Sequence, residues 1–315
     1  MSELLKPPAV PKGARVVVIA PASNAKHERI EQGITALRAR GFNPVPGQYA
    51  LGKQPPYFSG TTAERLADLQ AAFVDPEVKA IFTTRGGYGS NYLLEGLDLD
   101  LIRAHPKPLV SYSDLTAVQT WLLDQTGLPA FHGPLVAGDF SREGGVHDAS
   151  LEAALGGGLV EVGAAEGLRV LKPGRAEGTL YGGCLSILTA SLGTRFAPQT
   201  EGKLLFLEDV GAKPYQIDRM LRQMLLAGKL DGVQGFVFGE MLNCASPNTA
   251  ADFLDQVILR VLDCFDGPIG IGLRSGHVSG ANVTLPLGVR AELALENEPR
   301  LRCLEAAVLE RAVQV

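Results

Sequence analysis

Ser113 stands where an apolar run, Leu109-Val110-Ser111, meets a helical pattern that continues through Ala117, Val118, Trp121 and Leu122. A strand that turns sharply into a helix holds a hydroxyl clear of the backbone and offers the free N–H groups of the helix N-terminus to an oxyanion. The same position suits a helix cap, a role in which Ser113 or Asp114 would do no chemistry. A serine hydroxyl is a weak nucleophile at neutral pH. Catalysis therefore needs a base within hydrogen-bond reach and a carboxylate that fixes the tautomer of that base. The chain holds five histidines. His27 opens a helical pattern, His105 sits in a polar turn before Pro106 and His147 falls in a glycine- and alanine-rich stretch, so these three read as solvated. His132, after the apolar segment 128–131 and before Gly133-Pro134, and His277, in a glycine-flanked turn past the apolar run 268–273, are the two that strand ends would present to a cleft.

Glu208 closes the run Leu204-Leu205-Phe206-Leu207, where a charge is costly unless it has a partner, and an imidazole would be that partner. Asp209 competes, but neighbouring side chains of a strand point to opposite faces, so only one of the two can face a site. Glu240 also stands at a strand end. An oxyanion needs two preorganised donors, for which the backbone N–H of Asp114 and a glycine N–H of Arg85-Gly86-Gly87 are the natural pair. Gly86 is the expected one, because a residue without a side chain lets its backbone approach closely. The loop Arg85-Gly86-Gly87-Tyr88-Gly89 has neither the lysine of a phosphate-binding loop nor dinucleotide spacing, which makes it a poor phosphate cradle. Arg85 or Arg219 could present a fork of donors to a free carboxylate.

In order and spacing these segments resemble the LD-carboxypeptidases, the murein tetrapeptide carboxypeptidases, a family of serine peptidases that also includes the microcin self-immunity peptidases. The resemblance runs nearly end to end, through Ile19-Ala20-Pro21-Ala22-Ser23, Tyr57-Phe58-Ser59-Gly60-Thr61, Arg85-Gly86-Gly87-Tyr88-Gly89, Tyr112-Ser113-Asp114, Phe131-His132-Gly133-Pro134, Leu207-Glu208-Asp209, Ile217-Asp218-Arg219 and Leu285-Pro286-Leu287-Gly288. It implies a triad of Ser113, Glu208 and His277, an oxyanion hole of the Gly86 and Asp114 N–H groups, and a substrate-facing set of Arg85, Gly87, Tyr88 and His132. The implied reaction removes the terminal D-alanine from the L-centre of a diamino acid in a murein tetrapeptide, by way of an acyl-enzyme, without metal or cofactor. The implied partner is a small peptide or muropeptide, and the implied assembly a homodimer. The family often has Asn after paired glycines where this chain reads Tyr181-Gly182-Gly183-Cys184. A thiol cannot reproduce the hydrogen bonds of an amide, so the substrate preference is open there. Within the family, self-immunity against nucleotide peptide antibiotics is the alternative, for which an aromatic ring would stack a nucleobase; Trp121, on the helix behind the serine, reads as packing. From another class, a non-catalytic ligand-binding protein would use Ser113 only as a cap.

Positioning such a set requires an α/β fold. Residues 1–145 alternate short apolar strands (15–20, 42–46, 78–83 and 108–111) with helical patterns (28–40, 62–73, a helix starting at 91–94, and 114–125), which predicts an N-terminal doubly wound, mostly parallel sheet with ligands at the carboxyl ends of its strands. Residues 146–175 read as a linker with a short helix. Residues 176–315 predict a smaller α/β domain that carries Glu208 and His277, with strands at 202–208, 235–239 and 268–273, helices at 216–227 and 250–264, and β character at 290–294 and 301–308. A chain of 315 residues, 46% hydrophobic and 20% charged, can bury two such cores. A net charge of −5 without a Lys/Arg block argues against nucleic acid or an anionic membrane. Four scattered cysteines form no C-x-x-C pair and read as reduced thiols. The first apolar run, 16–20, is too short for a signal peptide or a membrane span, so the expected location is cytoplasmic.

Overall fold

The computed structural model describes residues 4–245, 250 and 252–309. The first half follows the expected alternation: β1 (Arg15–Ile19), α1 (His27–Ala39), β2 (Asn43–Pro46), α2 (Thr62–Val74), β3 (Ala80–Thr83), α3 (Leu99–Ala104), β4 (Leu109–Ser111), α4 (Thr116–Thr126), β5 (Ala130–His132) and α5 (Asp148–Gly156). Strand periodicity of two is visible in β1: Val16 and Val18 pack into one core, Val17 and Ile19 into another. Leu69, Phe73, Ile102, Val118 and Leu122 of α2, α3 and α4 close the second of these cores. Ile30, Ile34 and Leu37 of α1 join the first, which continues into the other half of the molecule through Leu205, Phe206, Phe236 and Phe238. Thr61 opens α2 with a reciprocal cap, its hydroxyl accepting from Glu64 N and its N–H donating to the Glu64 carboxylate. The helix expected to begin at 91–94 is a 3-10 segment, Ser90–Gly96.

The second half comprises β6 (Glu161–Gly163), β7 (Arg169–Lys172), β8 (Arg175–Cys184), α6 (Leu185–Ala190), β9 (Lys203–Glu208), α7 (Pro214–Leu226), β10 (Gly235–Gly239), α8 (Phe253–Val261), β11 (Ile269–Leu273), β12 (Leu285–Leu287), β13 (Arg290–Ala294) and β14 (Arg300–Cys303). α8 is shorter than the 250–264 pattern, in which residue 251 lies outside the described residues. The 146–175 stretch contains α5 and also β6 and β7, three- and four-residue edge strands too short to show alternation.

Two sheets result, ordered β2-β1-β3-β4-β5-β12 and β6-β14-β13-β8-β9-β10-β11-β7. The first five strands of the first sheet are parallel, and the order in which the chain adds them reverses between β1 and β3, where an open α/β sheet forms its ligand crevice. β8, β9, β10 and β11 are parallel at the centre of the second sheet, and antiparallel strands flank them. β12 leaves the second half and pairs antiparallel with β5, Leu285 opposite His132. Pro286 is tolerated there because β12 is an edge strand.

Candidate active site

The carboxyl ends of β4 and β5 meet those of β9 and β11, where Tyr112 touches His277 and His132 faces Glu208, and the chemistry-bearing residues lie at these strand ends and on the loops that follow them. Ser113 follows β4 and starts a 3-10 turn, Ser113–Leu115, that leads into α4. Its φ of 65° places a non-glycine residue in the left-handed region, a conformation costing about 1–2 kcal/mol. No side chain caps the 3-10 turn or α4, and the Asp114 carboxylate instead accepts from Ser90 N at 2.8 Å. The Ser90 hydroxyl returns a hydrogen bond to Asp114 O at 2.6 Å. Burial pushes the Asp114 carboxyl pKa up. Gly86, after β3, packs directly on the serine: a Cβ added to it would lie 2.8 Å from Ser113 Cβ, 2.9 Å from Oγ and 3.0 Å from Asp114 N.

Glu208, at the end of β9, is 1% exposed. Its Oε2 accepts from His277 Nδ1 at 2.8 Å and from His277 N at 3.0 Å. Burial works to raise the Glu208 pKa, but the His277 charge and hydrogen bonds outweigh it and hold the carboxyl below its ordinary value. Burial likewise works to depress His277, and the facing charge and hydrogen bond of Glu208 reverse that, leaving the imidazole above its ordinary value. The approach is close enough to require glycine at Gly276, whose φ is +92° and whose added Cβ would fall 2.6 Å from the Glu208 carboxyl carbon. The ring of Tyr112, the residue next to Ser113, meets the His277 ring edge-on at 5.0 Å, so the serine turn and the imidazole adjoin.

Several side chains that the sequence did not single out hold these loops. Asn282 clamps Gly276, its Oδ1 accepting from Gly276 N at 3.0 Å and its Nδ2 donating to Gly276 O at 3.1 Å. Arg142 donates to the carbonyls of Val278, Ser279 and Gly280, at 3.3, 3.1 and 2.8 Å. Asp139, its pKa raised by burial, accepts from Leu135 N at 2.9 Å and from Arg142 Nη2 at 3.5 Å. Arg65 is 1% exposed and donates to Gly60 O at 3.2 Å, Pro21 O at 2.8 Å and Gly89 O at 2.6 Å, which fixes the three loops around Gly86. The available signal was its spacing, since Arg65 shares a helix face with Leu69, Ala72 and Phe73.

The other expected residues are placed as follows. Arg85 is exposed and its Nη1 donates to Asn24 O at 3.4 Å. Gly87 turns beside Ser23, whose hydroxyl accepts from Tyr88 N at 3.1 Å. The Tyr88 ring is exposed among Tyr57 and Tyr92, at centroid distances of 5.7 and 6.0 Å. His132 differs from its expected place on the cleft surface: the end of β5, between β4 and β12, leaves it 0% exposed, behind Glu208. Arg219 stacks on Tyr215 of α7 at 5.4 Å, and Glu240 accepts from Ser279 N at 3.0 Å. Asp209 turns away from the imidazole to accept from Ser186 N at 2.8 Å. Cys184 is buried, its Sγ 3.3 Å from Ser186 Oγ, and burial, with the charges of Glu208 and Asp209, raises its thiol pKa far above the ordinary value. Trp121 packs on Phe196 at 4.8 Å. Among the described residues no group of three or more His, Cys, Asp or Glu is arranged to hold a metal ion.

Two family models match the chain, the LD-carboxypeptidase N-terminal domain over residues 16–133 and the LD-carboxypeptidase C-terminal domain over residues 177–293. A probable murein peptide carboxypeptidase of Bacillus subtilis strain 168 is 38% identical over 98% of this chain and 97% of the relative. The murein tetrapeptide carboxypeptidase of Pseudomonas aeruginosa PAO1 is 31% identical over 90% of this chain and 94% of the relative. Among solved structures, the microcin C7 self-immunity protein MccF superposes with a TM-score of 0.88 at 25% identity, covering 97% of this chain and 100% of that one.

Proposed function

Because the chain belongs to the LD-carboxypeptidase family, and is thereby a peptide-bond hydrolase, we propose that it is a serine-type carboxypeptidase that removes the terminal D-alanine of a murein tetrapeptide. The observation that carries this reading is the buried Glu208 bonded to His277, whose ring adjoins the strained Ser113 turn. With Nδ1–H committed to Glu208, His277 Nε2 takes the proton of Ser113 Oγ as the oxygen attacks the carbonyl carbon at the L-centre. The negative charge that develops on the carbonyl oxygen is met by the N–H groups of Gly86 and Asp114. The imidazolium then protonates the departing amine of D-alanine, and a water repeats the sequence on the acyl-enzyme.

Ser113→Ala is expected to leave a folded protein whose turnover of a murein tetrapeptide is lower by about 10³-fold or more, while a chelator leaves the wild type unchanged. A fully active Ser113→Ala protein rejects the reading. Action on muropeptide fragments in the cytoplasm during peptidoglycan recycling, as a homodimer, belongs to the same proposal; among the described residues no helix is long and apolar enough to cross a membrane.

The exposed rings of Tyr57, Tyr88 and Tyr92 beside the Gly86 loop favour one further reading, in which an aminoacyl nucleotide analogue stacks there as a substrate for self-immunity. Parallel assays on a murein tetrapeptide and an aminoacyl sulfamoyl nucleotide separate the two by their kcat/KM ratio.

A further inference from the structure

Glu208 uses one carboxylate oxygen twice and the other not at all. Both hydrogen bonds from His277 go to Oε2. Oε1 is buried without a hydrogen-bond partner, and so is His132 Nε2. These two atoms face each other at 4.0 Å. On its other side His132 Nδ1 lies 3.0 Å from Ser275 Oγ, which in turn lies 2.9 Å from Val283 O. The serine has one proton to give. If it goes to Val283 O, the imidazole carries its own proton on Nδ1 and aims a bare lone pair at a carboxylate oxygen. If it goes to His132 Nδ1, the imidazole proton sits on Nε2 and points at Oε1. The second arrangement leaves Val283 O without the serine proton, but it sets a dipole against a charge in place of two facing acceptors, and in a low-dielectric core the interaction with the charged group is the larger of the two effects.

We infer that His132 is a positioning residue for the reaction: Ser275 selects its Nε2–H tautomer, which holds the Glu208 carboxylate by Oε1 and keeps Oε2 aimed at His277 Nδ1. This rests on the serine-peptidase reading. The separation exceeds hydrogen-bond length, so the contact acts as a charge–dipole restraint. Ionisable groups near the pair are His277, Tyr112 just after β4, Cys184 at the end of β8, Asp209 after β9, and Asp139. Burial pushes the His132 pKa down to about 4, which keeps the ring a neutral dipole through the neutral range. The rings of Phe206 and Tyr112, at 5.0 and 5.7 Å, fix its plane.

Two substitutions separate the nitrogens. The amide nitrogen of His132→Gln reaches the Nε2 position, and that of His132→Asn reaches only Nδ1. The Gln variant is expected to keep kcat within about three-fold of wild type, and the Asn variant to lose about 10- to 100-fold in kcat at unchanged KM, the scale of a lost orienting partner. Without the donor at Oε1, the full carboxylate charge falls on His277, so its NMR titration point moves up in the Asn variant and stays in place in the Gln variant. Equal kcat and equal titration points in the two variants overturn the inference. Should both misfold, nitrogen-15 NMR of the wild type decides: the Nε2–H tautomer of His132 between about pH 6 and 8 supports it and the Nδ1–H tautomer overturns it. Neither NMR measurement needs substrate, so a failure there is distinct from a wild type that cleaves no tetrapeptide.

Discussion

The left-handed φ of Ser113 is conformational strain held in place by its surroundings, and a substitution can release it. Ser113→Gly and Ser113→Ala both remove the hydroxyl, yet only glycine tolerates that φ without cost. The glycine variant is expected to be more stable than the alanine variant by about 1 kcal/mol, measured as the difference in urea unfolding. Gly86 makes the opposite case, since its backbone has no left-handed φ and only space forbids a side chain. Gly86→Ala is expected to lose kcat by about 10²-fold or more, because the new methyl meets Ser113 Cβ and Oγ and the serine turn must shift to make room. The pH profile follows from His277. Glu208 holds the His277 pKa above the ordinary imidazole value, and the base works only when neutral, so kcat/KM should fall as pH drops, with the acid limb higher than a free imidazole would give. Glu208→Gln removes the charge responsible, which moves that limb down and lowers kcat by up to about 10⁴-fold. An acid limb that stays in place in Glu208→Gln would contradict the coupling.

At the scale of elements, Arg65 ties α2 to the loops after β1 and β3, and to the start of α2 itself. Arg65→Met keeps much of the volume and leaves the carbonyls of Gly60, Pro21 and Gly89 without their donor, an expected loss of about 3 kcal/mol or more in chemical denaturation, with activity falling as the Gly86 loop loosens. The strands of the first half were legible because both faces of a parallel sheet are buried, which writes each strand as a short apolar run. β8 was not: Arg175, Glu177 and Thr179 alternate with small residues before Gly182 and Gly183, which reads as loop although its second half is buried. β12 escaped notice because three residues around Pro286 carry too little pattern. Glu208 and His277 could be read as a pair because each follows an apolar strand that has no other use for a polar residue. Arg142 and Asn282 could not, because they act on backbone carbonyls and amides, and such partners leave no trace in residue type.

The molecule as a whole is less divisible than its two sheets suggest. The first half cannot complete its sheet without β12, and the core beneath β1 runs on into β9 and β10. The ends of the described chain also meet, with Leu309 N donating to Pro7 O at 2.8 Å. Calorimetry should accordingly show one cooperative transition, with the calorimetric and van't Hoff enthalpies in agreement; two resolved transitions would show that the halves unfold separately. The path of the chain around His277 has a further consequence. Four residues before it the polypeptide is still in β11 of one sheet, and eight residues after it the chain has entered β12 of the other. The segment that carries the base is therefore a strap sewn to both halves, and a clamshell opening between them would have to tear β12 from β5. Access to the site therefore does not depend on a hinge between the halves, which this strap holds as one frame.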